Sequence, residues 1–258
     1  MRVLAILQAR VSSTRLPGKV LKPLLGKPML IRQIERIKCC RLIDKLVVAT
    51  SANSSDNALT DVLTQAEIAY FRGSLDDVLE RFYLAAQPYQ PEHVVRLTGD
   101  CPLADSMLID EAINAHLTSG ADYTSTALNP TYPDGLDVEV IRFAALERAW
   151  REGSLPSERE HVTPYIYNHP ELFRLKSVEQ AKNMSGLRWT VDEPADFAFV
   201  ERVYDELYPA NPGFVMNDVL VLLEKHPELL NINAQFERNE GFKKSLLADK
   251  MLLNNRND

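Results

Sequence analysis

Short apolar runs alternate with amphipathic stretches through the first half of this chain, and that alternation restricts the fold more than anything else in the sequence. Val3–Gln8, Lys45–Thr50 and His93–Leu97 are too short for buried helices and read as buried strands, with Ala69–Phe71 a shorter one. Between them, Met29–Cys39 sets Leu30, Ile34 and Ile37 on one helical face, and Asn57–Ala66 also reads as a helix. Asp76–Ala86 opens with carboxylates, which suit the positive end of a helix. Met107–His116 follows Asp105 and Ser106, either of which can cap it. Strand and helix in short alternation require a mostly parallel, doubly wound α/β sheet covered on both faces.

The rhythm loosens later. Asp137–Ile141, Phe173–Val178 and Leu187–Val191 read as strands, and Ala144–Trp150 and Glu160–Tyr167 as helices. Pro194–Tyr208 and Val215–Glu224 complete the helical set, the first with Pro at its start. Trp150 and Trp189 are assigned to the core. Without repeats or a linker, residues 1–240 read as one domain and 241–258 as a polar, frayed tail.

The first strand runs into Gln8-Ala9-Arg10-Val11-Ser12-Ser13-Thr14-Arg15-Leu16-Pro17-Gly18-Lys19. A strand feeding a short cationic loop is how α/β proteins hold phosphates at the carboxyl edge of a sheet. Arg10 and Arg15 offer planar forks and Lys19 a mobile point charge. Ser12, Ser13 and Thr14 favour a turn, and Gly18 permits close approach of the backbone. The spacing matches neither the P-loop nor the dinucleotide glycine pattern. From residue types alone, a solvated basic loop is an equal reading.

Composition narrows the partners. A formal net charge of −7 argues against nucleic acid as the main partner, while a nucleotide needs only local positive charge. Three cysteines, two of them adjacent, make no disulfide framework and fit a reducing compartment. No apolar run reaches membrane-spanning length and the N-terminus enters a strand at once, so the expectation is a cytoplasmic protein without membrane contact.

The loop L-Q-A-R-x-S-S-T-R-L-P-G-K resembles the signature of the sugar-acid cytidylyltransferases, which make CMP-activated 3-deoxy-manno-octulosonic, sialic and related nonulosonic acids. The similarity runs from Arg2 to about Phe199 and is strongest to the branch associated with spore-coat polysaccharide synthesis. It implies a Rossmann-like, nucleotide-diphospho-sugar transferase-like fold. It also implies that Gln8, Ala9, Arg10, Ser12, Ser13, Arg15, Gly18 and Lys19 bind the nucleotide, with Arg10 and Lys19 active in catalysis. Thr98-Gly99-Asp100-Cys101-Pro102-Leu103 resembles the family element whose aspartate binds catalytic magnesium, which makes Asp100 a catalytic metal ligand. Late in the chain, Arg188-Trp189-Thr190-Val191-Asp192-Glu193-Pro194 resembles the element that completes that site, with Asp192 as second ligand and Glu193 either beside it or a helix-start charge.

Further elements are less specific. Arg72-Gly73-Ser74-Leu75-Asp76-Asp77 resembles a family segment near the base or ribose, which makes Gly73 and Ser74 nucleotide contacts; Asp77 and Arg81 could equally form a helical pair. Thr50 and Ser51 could face the nucleotide or cap an element. Asp134-Gly135-Leu136-Asp137-Val138-Glu139 is good turn-and-strand chemistry and occurs in the spore-coat-like branch, as does the segment around Arg159, His161 and Tyr165. Asp137, Glu139 and His161 are therefore candidate sugar ligands, although strand acids usually face solvent. The resemblance implies attack of a sugar-acid hydroxyl on CTP, magnesium dependence and a homodimer. A glycosyltransferase or another nucleotide-sugar enzyme on a related sheet is the alternative.

Overall fold

The computed structural model describes residues 1–236, 238 and 240–254. The expected doubly wound sheet is present. β1 (Val3–Gln8) is an interior strand, third from one edge, with β2 (Pro23–Leu24) and β3 (Lys27–Pro28) forming a separate small hairpin. β4 (Lys45–Ser51), β5 (Tyr70–Gly73) and β6 (His93–Thr98) run parallel to β1. β7 (Tyr123–Ser125), β8 (Glu139–Arg142) and β9 (Leu175–Ser177) extend the sheet in the order β5-β4-β1-β6-β8-β7-β9, with β8 antiparallel to both neighbours.

Alternation along β1 divides the core. Val3, Ala5 and Leu7 pack on one face and Leu4 and Ile6 on the other, all essentially buried. The first face is covered by α1 (Met29–Ile37), α2 (Asn57–Gln65), α4 (Ser106–Ser119), α8 (Pro194–Leu207) and α9 (Met216–Lys225). The second is covered by α3 (Val78–Ala86), α5 (Phe143–Glu152) and α7 (Pro164–Tyr167). Trp189 is fully buried in the first cluster, while Trp150 stacks on Tyr83 at 4.1 Å. Among the described residues no helix is long and apolar enough to cross a membrane.

Four later segments depart from the sequence reading. Leu187–Val191 is no sheet strand, because its backbone is committed elsewhere. Leu187 O accepts from Asp134 N at 2.9 Å, and Val191 N donates to Asp100 O at 2.7 Å. The helix expected over Glu160–Tyr167 is two, α6 (Pro156–His161) and α7: Val162 has φ 73° and Pro164 lacks the N–H that would continue a helix. β7 went unread because Tyr-Thr-Ser has little apolar content, yet all three residues are buried. The polar tail contains α10 (Glu240–Asn254), which packs on α6 through Asp249 Oδ1, the acceptor of Ser157 N at 2.9 Å. Residues 255–258 lie outside the described residues.

Candidate functional site

β1 and β6 are adjacent and parallel, so the loops after them emerge side by side at the carboxyl edge of the sheet. Gly99 lets them touch. Its N–H donates to Gln8 O at 2.7 Å, and a Cβ there would stand 2.9 Å from Ala9 Cβ. The cationic loop is braced from the end of β4 by Asp56, which is fully buried. Asp56 accepts from Val11 N at 2.7 Å and from Thr50 Oγ1 and Ser51 N at 3.0 Å each. Thr50 and Ser51 therefore hold the brace. Gly18 turns the loop with φ 70°, a conformation that favours glycine.

That turn delivers Lys19 inward. Its buried Nζ donates to Asp192 Oδ1 and Val191 O at 2.8 Å each and lies 3.3 Å from Asp100 Oδ2. Burial would depress the Lys19 ammonium, but Asp100 and Asp192 outweigh it and hold its pKa above the ordinary lysine value. Burial likewise opposes ionisation of Asp100, and Lys19 overcomes it, so this carboxyl stays well below the usual range. Arg15 Nη2 also reaches Asp192, at 2.8 Å. Arg10 lines the same cavity and makes no hydrogen bond or ion pair among the described residues.

The Asp192 side of the site is built on Asp196. This fully buried carboxylate receives Arg188 Nε at 2.8 Å and Nη2 at 2.9 Å, and it caps α8 by accepting from Asp192 N and Glu193 N at 2.9 Å each. Glu193 is the N-cap residue of α8 and lies 3.6 Å from Arg15 Nε. The turn at Asp134 packs on this segment. Gly135 has φ 104°, and a Cβ there would fall 2.5 Å from Thr190 N.

These elements wall a cavity of about 1050 Å³. Its lining brings together Gln8, Ala9, Arg10, Ser12, Ser13, Arg15, Lys19, Asp100 and Asp192 with Asp137, Glu139 and His161. Gly18 shapes the loop from behind. Gly73 and Ser74 do not line the cavity: Ser74 Oγ accepts from Asp77 N at 3.0 Å at the start of α3, and the lining there is Leu75–Val78. Asp77 pairs with Arg159, whose Nε lies 2.9 Å from Oδ2, and not with Arg81, whose Nη1 donates to Ser74 O at 2.7 Å.

Asp137 is paired with Arg238, yet burial keeps its carboxyl above the usual range. Burial and the neighbouring Asp137 push Asp134 up to about 6 against the pull of Arg238 and Arg188. His161 contacts Ser245 Oγ at 2.9 Å, and burial lowers its pKa. Glu139 is buried with both oxygens engaged. Oε1 accepts from Tyr123 OH and Thr163 Oγ1 at 2.6 Å each, and Oε2 from Arg96 Nη1. Asp56, Arg96 and Asp196 escaped the sequence reading. Only Arg96, a lone charge in the apolar run His93–Leu97, left a local signal.

Could this site hold a divalent cation? Two carboxylates converge on one ammonium, so the geometry already accommodates a positive charge between them. Among the described residues no cluster of three or more His, Cys, Asp or Glu side chains is poised for metal. A hard cation here would take two carboxylates and complete its shell with phosphate oxygens and water, which suits magnesium.

A cytidylyltransferase family model matches residues 4–220. An uncharacterized protein of Methanocaldococcus jannaschii is 36% identical over 91% of this chain and 95% of its own length. The spore coat polysaccharide biosynthesis protein SpsF of Bacillus subtilis is 35% identical over 88% of this chain and 95% of its own. Among solved structures, a cytidylyltransferase from Leptospira borgpetersenii superposes with a TM-score of 0.86 at 29% identity, covering 92% of this chain and all of that one. The loop, the paired carboxylates and these likenesses agree: this chain belongs to the cytidylyltransferase family.

Proposed function

We propose that the protein activates a carboxylate-bearing sugar of the 3-deoxy-manno-octulosonic or nonulosonic acid class with CTP, giving CMP-sugar and pyrophosphate for surface polysaccharide synthesis. The observation that carries this reading is the convergence of Lys19 with Asp100 and Asp192 on the floor of one cavity spacious enough for two substrates. Arg10, Arg15 and Lys19 bind the triphosphate and neutralise the departing pyrophosphate. The acceptor hydroxyl attacks the α-phosphorus in line and gives its proton to water. The new oxygen–phosphorus bond forms as the bond to the β-phosphate oxygen breaks. Asp100 and Asp192 would hold magnesium, which supplies positive charge at the phosphate oxygens. Lys19 must then leave the two carboxylates for the phosphates, a short movement for a flexible side chain.

The test is a pyrophosphate-release panel of four nucleoside triphosphates against sugar acids, with and without magnesium. Release that needs CTP, an acid and the metal together supports the reading. Release with no acceptor, or binding of nucleotide indifferent to magnesium without turnover, removes it. The same reading takes the protein to be a cytoplasmic homodimer, and a concentration-independent monomer mass in light scattering would remove that part.

A further inference from the structure

Most of the cations along the cavity are committed. Lys19 and Arg15 face Asp192, Arg159 holds Asp77, and Arg188 is bidentate on Asp196. Arg96 stands between Gln8 and Glu139 with donors to spare. It rises from β6, directly across from Glu139 on β8. Nη1 donates to Glu139, Nη2 reaches Gln8 Oε1 at 3.3 Å, and Nε has no partner. An arginine carries five N–H groups; the Nε one is buried, and Nη1 and Nη2 each keep a second N–H while the residue lines the cavity.

Glu139 is anchored from three sides: Oε1 accepts from Tyr123 and Thr163, and Oε2 from Arg96. Stability alone does not call for this pair, since apolar side chains of similar volume often serve a buried site as well or better. What Glu139 does is hold a guanidinium in one orientation, with Gln8 on its other side. Asp134 and Asp137 line the same cavity and are already paired with Arg188 and Arg238. A single guanidinium beside acids suits one singly charged planar group, with the acids left for hydroxyls.

We propose that Arg96 binds the carboxylate of the acceptor sugar acid and that Glu139 is its positioning residue, an assignment that rests on the cytidylyltransferase reading above. The test pairs 3-deoxy-D-manno-octulosonate and N-acetylneuraminate with their methyl esters, which remove the charge at the addition of one methyl group. Wild type should favour acid over ester, and Arg96→Met should raise the acid KM by roughly 10–100-fold and erase the preference, as loss of a charge-assisted contact does. CTP affinity measured by calorimetry should stay within about threefold, because the triphosphate contacts lie elsewhere. Glu139→Gln should raise the acid KM by a smaller factor, and the Arg96→Met/Glu139→Gln pair should be no worse than Arg96→Met alone. Arg96→Lys keeps the charge and the partner, so it serves if the Met variant fails to fold. It should retain part of the acid preference.

Equal use of acid and ester by wild type, or an undiminished acid preference in both Arg96 variants, overturns the assignment. Loss of CTP affinity in step with acid affinity overturns it too, by moving Arg96 into the nucleotide site. If wild type releases no pyrophosphate with any acceptor, the catalytic reading fails by itself. Calorimetry of the same acid and ester pairs in the presence of CTP then decides Arg96: acid-selective binding removed by Arg96→Met sustains the assignment, and no selectivity ends it.

Discussion

Replacing Asp196 by alanine should damage stability and the site together. Asp196 is fully buried and its two oxygens accept five hydrogen bonds, from Arg188 Nε and Nη2, Asp192 N, Glu193 N and Asn233 Nδ2, at 2.8–2.9 Å. Its removal takes from buried Arg188 its two shortest carboxylate contacts; those to Asp134 at 3.5 Å and Asp192 at 3.7 Å are longer. Breaking a buried pair by deleting one partner costs about 3–5 kcal/mol, and loss of a helix cap about 1 kcal/mol when measured separately. These effects share atoms and will not add fully, so the expected loss is about 4 kcal/mol. At about 2–4 °C per kcal/mol for a chain of this size, Tm should fall by about 8–16 °C. Arg188 should then be drawn toward Asp192 and Asp134, weakening CTP binding. Calorimetric unfolding and CTP titration read both effects. The pH dependence has a definite sign. Burial alone would raise the Asp196 carboxyl, but Arg188, the two backbone N–H groups and Asn233 hold it below its ordinary value. Its contribution is therefore present above the unfolded carboxylate pKa of about 4 and is lost as pH falls through the lower folded value. The gap between wild type and Asp196→Ala should narrow in acid. A loss under about 1 kcal/mol with CTP affinity intact would refute the reasoning, since a paired, capping carboxylate cannot be that cheap to delete.

Other outcomes follow from the same contacts. Lys19→Met should weaken CTP binding by roughly 10–100-fold, the scale of one charge-assisted contact, and wild-type affinity would take Lys19 out of the nucleotide site. Asp100→Asn should abolish turnover and lower Tm by a few degrees, because it removes one of two carboxylates beside the buried Lys19 ammonium; activity at ordinary magnesium would leave Asp100 a turn residue. Gly135→Ala should destabilise by about 1–3 kcal/mol or more, because φ 104° and the 2.5 Å approach to Thr190 N both exclude a Cβ, and unchanged urea unfolding would contradict that geometry. Burial, then His93, lowers His116 to about 4, so its neutral form stabilises the fold above the unfolded histidine pKa of about 6.5 and that contribution is lost as pH falls through about 4. His116→Gln should flatten the decline of stability in that window, and identical pH profiles for both proteins would show that His116 does not titrate there.

Features contiguous along the chain are legible without the fold. Strand and helix periods express themselves within a few residues, so β1, α1, β4, α2, β6 and α4 were legible from alternation alone. The cationic loop was legible for the same reason: Arg10, Arg15 and Lys19 lie within one turn of chain, and their types and order are the signal. Tertiary structure decided which charges meet. Asp56 reads as an ordinary polar residue until the loop after β1 folds back onto it. Glu139 reads as a candidate sugar ligand until β8 sets it across from Arg96 and beside Tyr123 and Thr163. Leu187–Val191 has the composition of a strand, but the Asp134 turn and the Asp100 loop take its hydrogen bonds before the sheet can. A carboxylate's role depends on which donors come within about 3 Å of it, and for residues far apart in the chain that distance is set only when the sheet and its covering helices pack.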